Sequence, residues 1–196
     1  ARNASVPRPD GVFAGAANTS QAAGTPREDG DAWAFRCHER AIAAIDEGRF
    51  QEEVVAIEVT MRDGTTKIFD TDEHPRRGST MEKMASLKPL HPEIEDFPIT
   101  AGNSSGLNDA SAAMMIVSSD YAKANGLKPR GRIVSWASAG VEPRNSGLGP
   151  STATPKALQR AGLTIADIDL AESNEALGSG PLAHGRAIGV TEGCDE

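Results

Sequence analysis

Aromatic side chains are scarce: Phe, Trp and Tyr together make up 4% of the 196 residues, so any core has to be built from aliphatic and small side chains. Cysteine is scarcer still. Cys37 and Cys194 form neither a metal-ligand spacing nor a disulfide framework, which makes free thiols the expectation and leaves a single bridge as the open alternative. No apolar run approaches the roughly 20 residues that span a bilayer, and the first twenty residues lack the charged start and apolar middle of a secretory leader. A cytoplasmic setting without a membrane partner is expected. Clustered positive charge is missing too. The 20 Lys and Arg against 28 Asp and Glu leave a formal net charge of -8, and the cations never gather into a stripe able to neutralise a phosphate backbone, so nucleic acid is not an expected partner.

What is present is a chain long enough for one substantial domain or two small ones. Residues 1–24, rich in Ala, Gly, Ser, Asn and Pro without a sustained period, read as extended coil with at most one weak helical turn. Thr25-Pro26-Arg27-Glu28 then opens a helix, with a hydroxyl cap, a proline at the first helical position and a carboxylate three residues after the cap. It should run to Gly48 with Ala34, Cys37, Ala41, Ala44 and Ile45 as its apolar stripe. Residues 54–59 and 65–69 flank Asp63-Gly64 as a surface hairpin. Residues 70–98 read as an irregular segment laid over something else, with one short helix near 80–87.

Character changes at residue 100. Met114-Met115-Ile116-Val117 is an apolar run of the kind that fills a buried central strand, and residues 132–137 and 167–172 read as further strands. Helices are expected at 120–125, closed by Gly126, and at 155–161, stopped by Gly162. Strands alternating with helices of this length indicate a layered α/β domain. The chain divides into an irregular segment, 1–99, and a core-like segment, 100–196.

Taken residue by residue, the chemistry is thin. His38, His74, His91 and His184 are scattered without metal-ligand spacing, and read as solvated or locally bonded. Cys37 falls on an apolar helix face, where a cysteine is usually a small hydrophobe. Cys194 lies in an acidic tail that would hold its thiol protonated. Asn174-Glu175-Ala176 follows an expected strand, at the kind of position where α/β folds place their sites. The stretch Gly102-Asn103-Ser104-Ser105-Gly106 could bring backbone amides close to a ligand.

Three stretches in order, 100–109 (TAGNSSGLND), 131–137 (GRIVSWA) and 161–169 (AGLTIADID) leading into Asn174-Glu175-Ala176, resemble the thiolase family of acetyl-CoA acetyltransferases and 3-ketoacyl-CoA thiolases. The resemblance runs from about residue 25 to residue 190 and covers the family's loop domain and the start of its C-terminal half. It implies a partial α/β/α layered core with an irregular loop domain. It also implies an acyltransferase that makes or cleaves 3-oxoacyl-CoA through an acyl-cysteine, with coenzyme A or acyl-CoA as substrate and no permanently bound cofactor or metal. Assembly as a homo-oligomer, a dimer or a tetramer, follows from the same likeness. Carried over by position, Asn174 would hold the water of an oxyanion hole. Arg76 would lie near the nucleotide, Met84 and Leu87 over the cofactor, and Ala101, Ser105 and Leu107 beside the pantetheine arm. The family's nucleophilic cysteine, its histidine motif and its second cysteine have no counterpart at Cys37, Cys194 or elsewhere in these residues. By itself the chain is therefore expected to be inactive, as part of a thiolase or, alternatively, as a catalytically inactive relative that binds CoA or serves as a partner or scaffold subunit. Leu177, where the family usually has phenylalanine, and the small Gly178-Ser179-Gly180 would alter the acyl end of the pocket.

Overall fold

A computed structural model of the chain describes residues 11–190, so the expectations for residues 1–10 and for Cys194 lie outside the described residues. Helix α1 spans Gly11–Ala23, α2 Arg27–Asp46, α3 Met81–Ser86, α4 Ser119–Ala124, α5 Gly149–Ala161 and α6 Ser179–Ile188. Strands β1, Ile57–Thr60, and β2, Thr66–Phe69, form an antiparallel ribbon in which Ile57 faces Phe69 and Thr60 faces Thr66. A 3-10 segment kinked at Asn145 lies at Pro143–Leu148, and a single 3-10 turn at Ile165–Asp167.

Helix α1 replaces the coil expected at 11–24, and packing explains it. Its contacts are with the 3-10 turn at Pro143–Leu148 and with α6. Thr19 is buried, its hydroxyl donates to the Gly15 carbonyl at 2.8 Å, and a Cβ on Gly147 would stand 2.6 Å from that hydroxyl. Tertiary contact of this closeness overrides a composition with weak intrinsic preference.

The long helix forms where the sequence places it, but without the hydroxyl cap. Pro26 is the N-cap residue and no side chain bonds the first amides, while Gly48 follows the helix at φ +72°. Its buried line is Gly30, Asp31, Ala34 and His38, not the expected stripe, of which only Ala34 is buried. The departure has a cause in the fold: α2 turns toward α6 and α3, where close backbone approach and hydrogen bonds replace aliphatic contact.

The hairpin and α3 agree with the sequence. Gly64 turns the ribbon at φ +83°, both strands are largely exposed, and the Thr80 hydroxyl caps α3 by accepting from the Lys83 amide at 3.2 Å. Helix α5 starts six residues before the expected Pro155, which it carries inside. Helix α6, which the sequence reading did not place, begins within the small Gly178-Ser179-Gly180 stretch and buries Ser179, Leu182, Ala183 and His184.

None of the three expected strands forms a ladder. Residues 114–117, 132–137 and 167–172 have no strand partner among the described residues, and Met114, Met115, Ile116, Ile133, Val134, Trp136 and Leu170 are exposed. The core gathers elsewhere, around Phe97, Ile99 and Leu177 with Ala17 and Ala176 against them. Among the described residues no helix is long and apolar enough to cross a membrane.

Candidate functional site

The segment after Pro98 is fixed first, by polar groups. Asn103 is buried, and its side-chain oxygen accepts from the Thr100 amide at 2.8 Å while its Nδ2 donates to Asp31 Oδ1 and to the Pro98 carbonyl, both at 2.9 Å. Asp31 also accepts from Arg27 Nε at 3.2 Å. Burial lifts the Asp31 carboxyl above its ordinary range, although Arg27 and Asn103 pull it down. Arg27 reaches on to the carbonyls of Met84 (3.1 Å) and Leu87 (2.8 Å), so one guanidinium joins α2 to α3.

These anchors shape a cleft of about 540 Å³ between α3, the loop before it and the start of the 100–103 segment. Met84, Leu87 and Ala101 supply apolar wall; Arg76, Arg77 and Lys83 supply three cations; no carboxylate lines it. Arg77 is held by Asp46 through two bonds, at 2.5 and 2.9 Å, and Lys83 donates to the Gly78 carbonyl at 2.6 Å. The Arg76 guanidinium has no ion pair among the described residues. A cleft that combines an apolar wall with these cations and no carboxylate suits a ligand with an anionic group on an uncharged arm.

Gly102 sets the closeness of the walls. A Cβ there would stand 2.5 Å from Leu87 Cδ1 and 2.8 Å from Met84 Sδ, so the backbone can press against both side chains only without one.

Arg76, Met84, Leu87 and Ala101, named from the sequence, thus meet in one cleft; Ser105 and Leu107 lie outside its lining. The Ser105 amide instead donates to the Ala176 carbonyl at 3.0 Å, and the Gly178 amide donates to the Asn103 carbonyl at 2.9 Å. The 102–106 segment and the Asn174-Glu175-Ala176 motif therefore run antiparallel side by side, with Ser104 bridged to Leu177. Leu107 is fully exposed and Asn174 is exposed at the same edge. Asn174 caps no helix, since Gly178 is the N-cap residue of α6.

Cys37 is unsuited to attack. Its thiol donates to Glu175 Oε2 at 3.1 Å, and burial first, then the Glu175 carboxylate, push it up to about 12. The same Glu175 oxygen accepts from Trp33 Nε1 at 2.9 Å.

His91 bonds locally, to Glu93 at 2.9 Å, as expected, but His38 and His184 correct the expectation of solvated or local roles. His38 is buried in the cleft wall, and its Nδ1 accepts from the Arg76 amide at 3.3 Å. Its side chain falls on the same face of α2 as Asp31 and Ala34, a line that only polar spacing could have revealed. His184 is buried as well, with Nε2 3.2 Å from Ser173 Oγ and Nδ1 without a hydrogen-bond partner among the described residues. Burial holds both rings below the ordinary histidine range. No group of three His, Cys, Asp or Glu side chains among the described residues is placed to hold a metal ion.

Comparison with known proteins adds the family. Residues 9–120 match the family described as thiolase, N-terminal domain, and residues 127–193 match thiolase, C-terminal domain. An acetyl-CoA acetyltransferase of Pseudomonas aeruginosa is 47% identical over 174 residues, covering 89% of this chain and 44% of the relative. The crystal structure of the Bacillus anthracis acetyl-CoA acetyltransferase superposes with a TM-score of 0.80 at 38% identity, over 91% of this chain and 45% of that one. Human mitochondrial 3-ketoacyl-CoA thiolase does so at 0.75 and 34%, over 90% and 44%. The chain spans less than half the length of these relatives. With both family domains matched in chain order and the backbone superposing on solved members over nine-tenths of its length, the chain belongs to the thiolase family and carries part of its α/β fold.

Proposed function

We propose that this chain carries the coenzyme A-holding part of a thiolase-type acyltransferase, which makes or cleaves 3-oxoacyl-CoA through an acyl-cysteine. One observation carries the reading: Arg76, without an ion pair among the described residues, lines the same cleft as the apolar wall of Met84, Leu87 and Ala101. Coenzyme A has that shape, phosphates at one end and an uncharged arm at the other. In this reading Arg76 takes a phosphate oxygen, and the apolar wall excludes water from the arm. Ser105 lies beside Ala176, and in this reading the arm passes it and Leu107 toward Asn174. Asn174, whose amide can donate to a water, would help hold the water that stabilises a developing oxyanion.

Coenzyme A or acyl-CoA is the substrate, with no permanently bound cofactor. The chemistry also needs a thiolate to take the acyl group and a base to form it. Cys37, carboxylate-bonded and pushed up to about 12, is not that thiolate. The nucleophile and base are assigned to residues other than those described here. A homo-oligomer in the cytoplasm is the expected working state.

Isothermal titration of CoA into the protein tests the reading. Saturable binding is expected, weakened by Arg76→Ala; no heat at millimolar CoA would overturn it. Thiolysis of acetoacetyl-CoA by a polypeptide carrying this chain together with a thiolase nucleophile then distinguishes an acyltransferase from an inactive CoA-binding relative.

A further inference from the structure

His38 stands between the two sides of the cleft. Its Nδ1 accepts from the Arg76 backbone amide at 3.3 Å, which places the one proton of the neutral imidazole on Nε2, and the backbone of Gly102 is the ring's other polar neighbour. The arginine-bearing loop is thereby tied through one ring to the segment that forms the opposite wall. Gly78, at φ +71°, lets that loop turn directly after the arginines, and the described residues give Arg76 no ion pair of its own. The ring is thus the contact of α2 with the Arg76 backbone.

We propose that His38 is a positioning residue of this cleft: its neutral ring holds Arg76 against Gly102, and protonation of the ring releases Arg76 and weakens the cleft's hold on the phosphates of a nucleotide thiol. The inference rests on reading the cleft as the coenzyme A site. The chemistry is that of a donor replacing an acceptor. A protonated imidazole carries N–H on both nitrogens, so Nδ1–H would confront the Arg76 N–H and the bond is lost.

The charges around the ring favour the neutral form. The His74 ring lies 5.9 Å away, centroid to centroid, on the same loop as Arg76, and the electrostatic influence of both disfavours a charge on the His38 ring. Arg77 from that loop and Lys83 from α3 line the same cleft. The 101–103 segment brings no ionisable group. On α2 the buried carboxylate of the same face, Asp31, is already engaged by Arg27 and Asn103. Burial first, then His74 and Arg76, hold the ring below the ordinary range, so the bond to Arg76 is intact at neutral pH.

Nitrogen-15 NMR of the chain without ligand, followed from pH 8 to pH 5, tests the strut directly. The Arg76 amide should titrate with the midpoint of the His38 ring. In His38→Gln, whose amide offers an acceptor and a donor but does not ionise, that titration should vanish. In His74→Gln, the midpoint should rise because a neighbouring cation is gone. CoA titrations across the same range should show wild type losing about three- to tenfold more affinity on acidification than His38→Gln, the loss expected for one hydrogen bond. The comparison cancels the protonation of the CoA phosphates themselves.

An Arg76 amide that titrates identically in wild type and His38→Gln overturns the proposal, as do superimposable CoA profiles of the two. A wild type that binds no CoA at any pH while the amide coupling persists overturns the coenzyme A reading and leaves the strut in place.

Discussion

Trp33 and Glu175, 142 residues apart, are joined by a hydrogen bond of 2.9 Å from the indole Nε1 to the carboxylate that also accepts from Cys37. Helix α2 thus grips the residue next to Asn174. It does so through one carboxylate oxygen that serves two donors.

That arrangement predicts a sluggish thiol. With Cys37 pushed up to about 12, its thiolate fraction at pH 8 is on the order of 10⁻⁴, and alkylation by iodoacetamide should be far slower than for an exposed peptide cysteine. Glu175→Gln removes the neighbouring charge and should speed alkylation severalfold while leaving the larger effect of burial. Mass spectrometry of the labelled peptide reads both rates, and equal rates in the two proteins would contradict the role given to Glu175.

Gly178→Ala should destabilise strongly. A Cβ there would stand 2.5 Å from the Gly30 carbonyl oxygen, a backbone atom that cannot rotate away, so α2 and α6 must separate. A loss of about 1–3 kcal/mol is expected for overpacking of this kind. Gly180→Ala, with open space around its Cβ, is the matched control and should be neutral or stabilising. Urea unfolding of the two variants separates a steric from a general effect.

Asn103→Ala should cost about 1–3 kcal/mol, because it leaves buried Asp31 with one donor fewer and the Thr100 amide without its acceptor. The same change should weaken CoA binding by loosening Ala101 and Gly102. Chemical denaturation and calorimetry measure the two effects on one sample. A variant with full stability would show that water replaces the amide at no cost.

Stability should fall as pH drops below about 6.5, the ordinary histidine value. Both His38 and His184 are held below that value by burial, so in this window the unfolded chain binds protons that the folded chain does not. Stability therefore rises with pH through the window and is fully present above it. Thermal unfolding between pH 5 and pH 8 reads the slope, and a curve flat across that interval would rule out buried neutral rings.

Local signals carried the sequence reading a long way. The hairpin turn at Gly64, the short helix near 80–87 and the glycine stops at Gly48, Gly126 and Gly162 all depend on neighbours within a few residues, and all appear in the structure. Resemblance placed Arg76, Met84, Leu87 and Ala101, which no local pattern would have joined. What stayed hidden is nonlocal and polar. Nothing in the spacing of Asp31 and Asn103 announces a pair 72 residues apart, and His38 sits where an aliphatic stripe was the simpler reading. The expected strands fail for the opposite reason. Residues 114–117 and 132–137 have the composition of buried strands, but a ladder needs a partner, and no described residue lies beside them as one.

The grip of Arg27 on α3 sets an order of assembly. A helix of six residues is far below the length at which a helix persists by itself in water, and a Thr80 cap alone does not make up the difference. The carbonyls of Met84, near its end, and of Leu87, just past it, accept from a side chain 57 and 60 residues earlier in the chain. Helix α3 can therefore become permanent only after α2 has formed and docked, closing a long loop first. During refolding, the wall of the cleft that carries Met84 and Leu87 is then among the last parts to set, later than the twenty-residue helix that holds it.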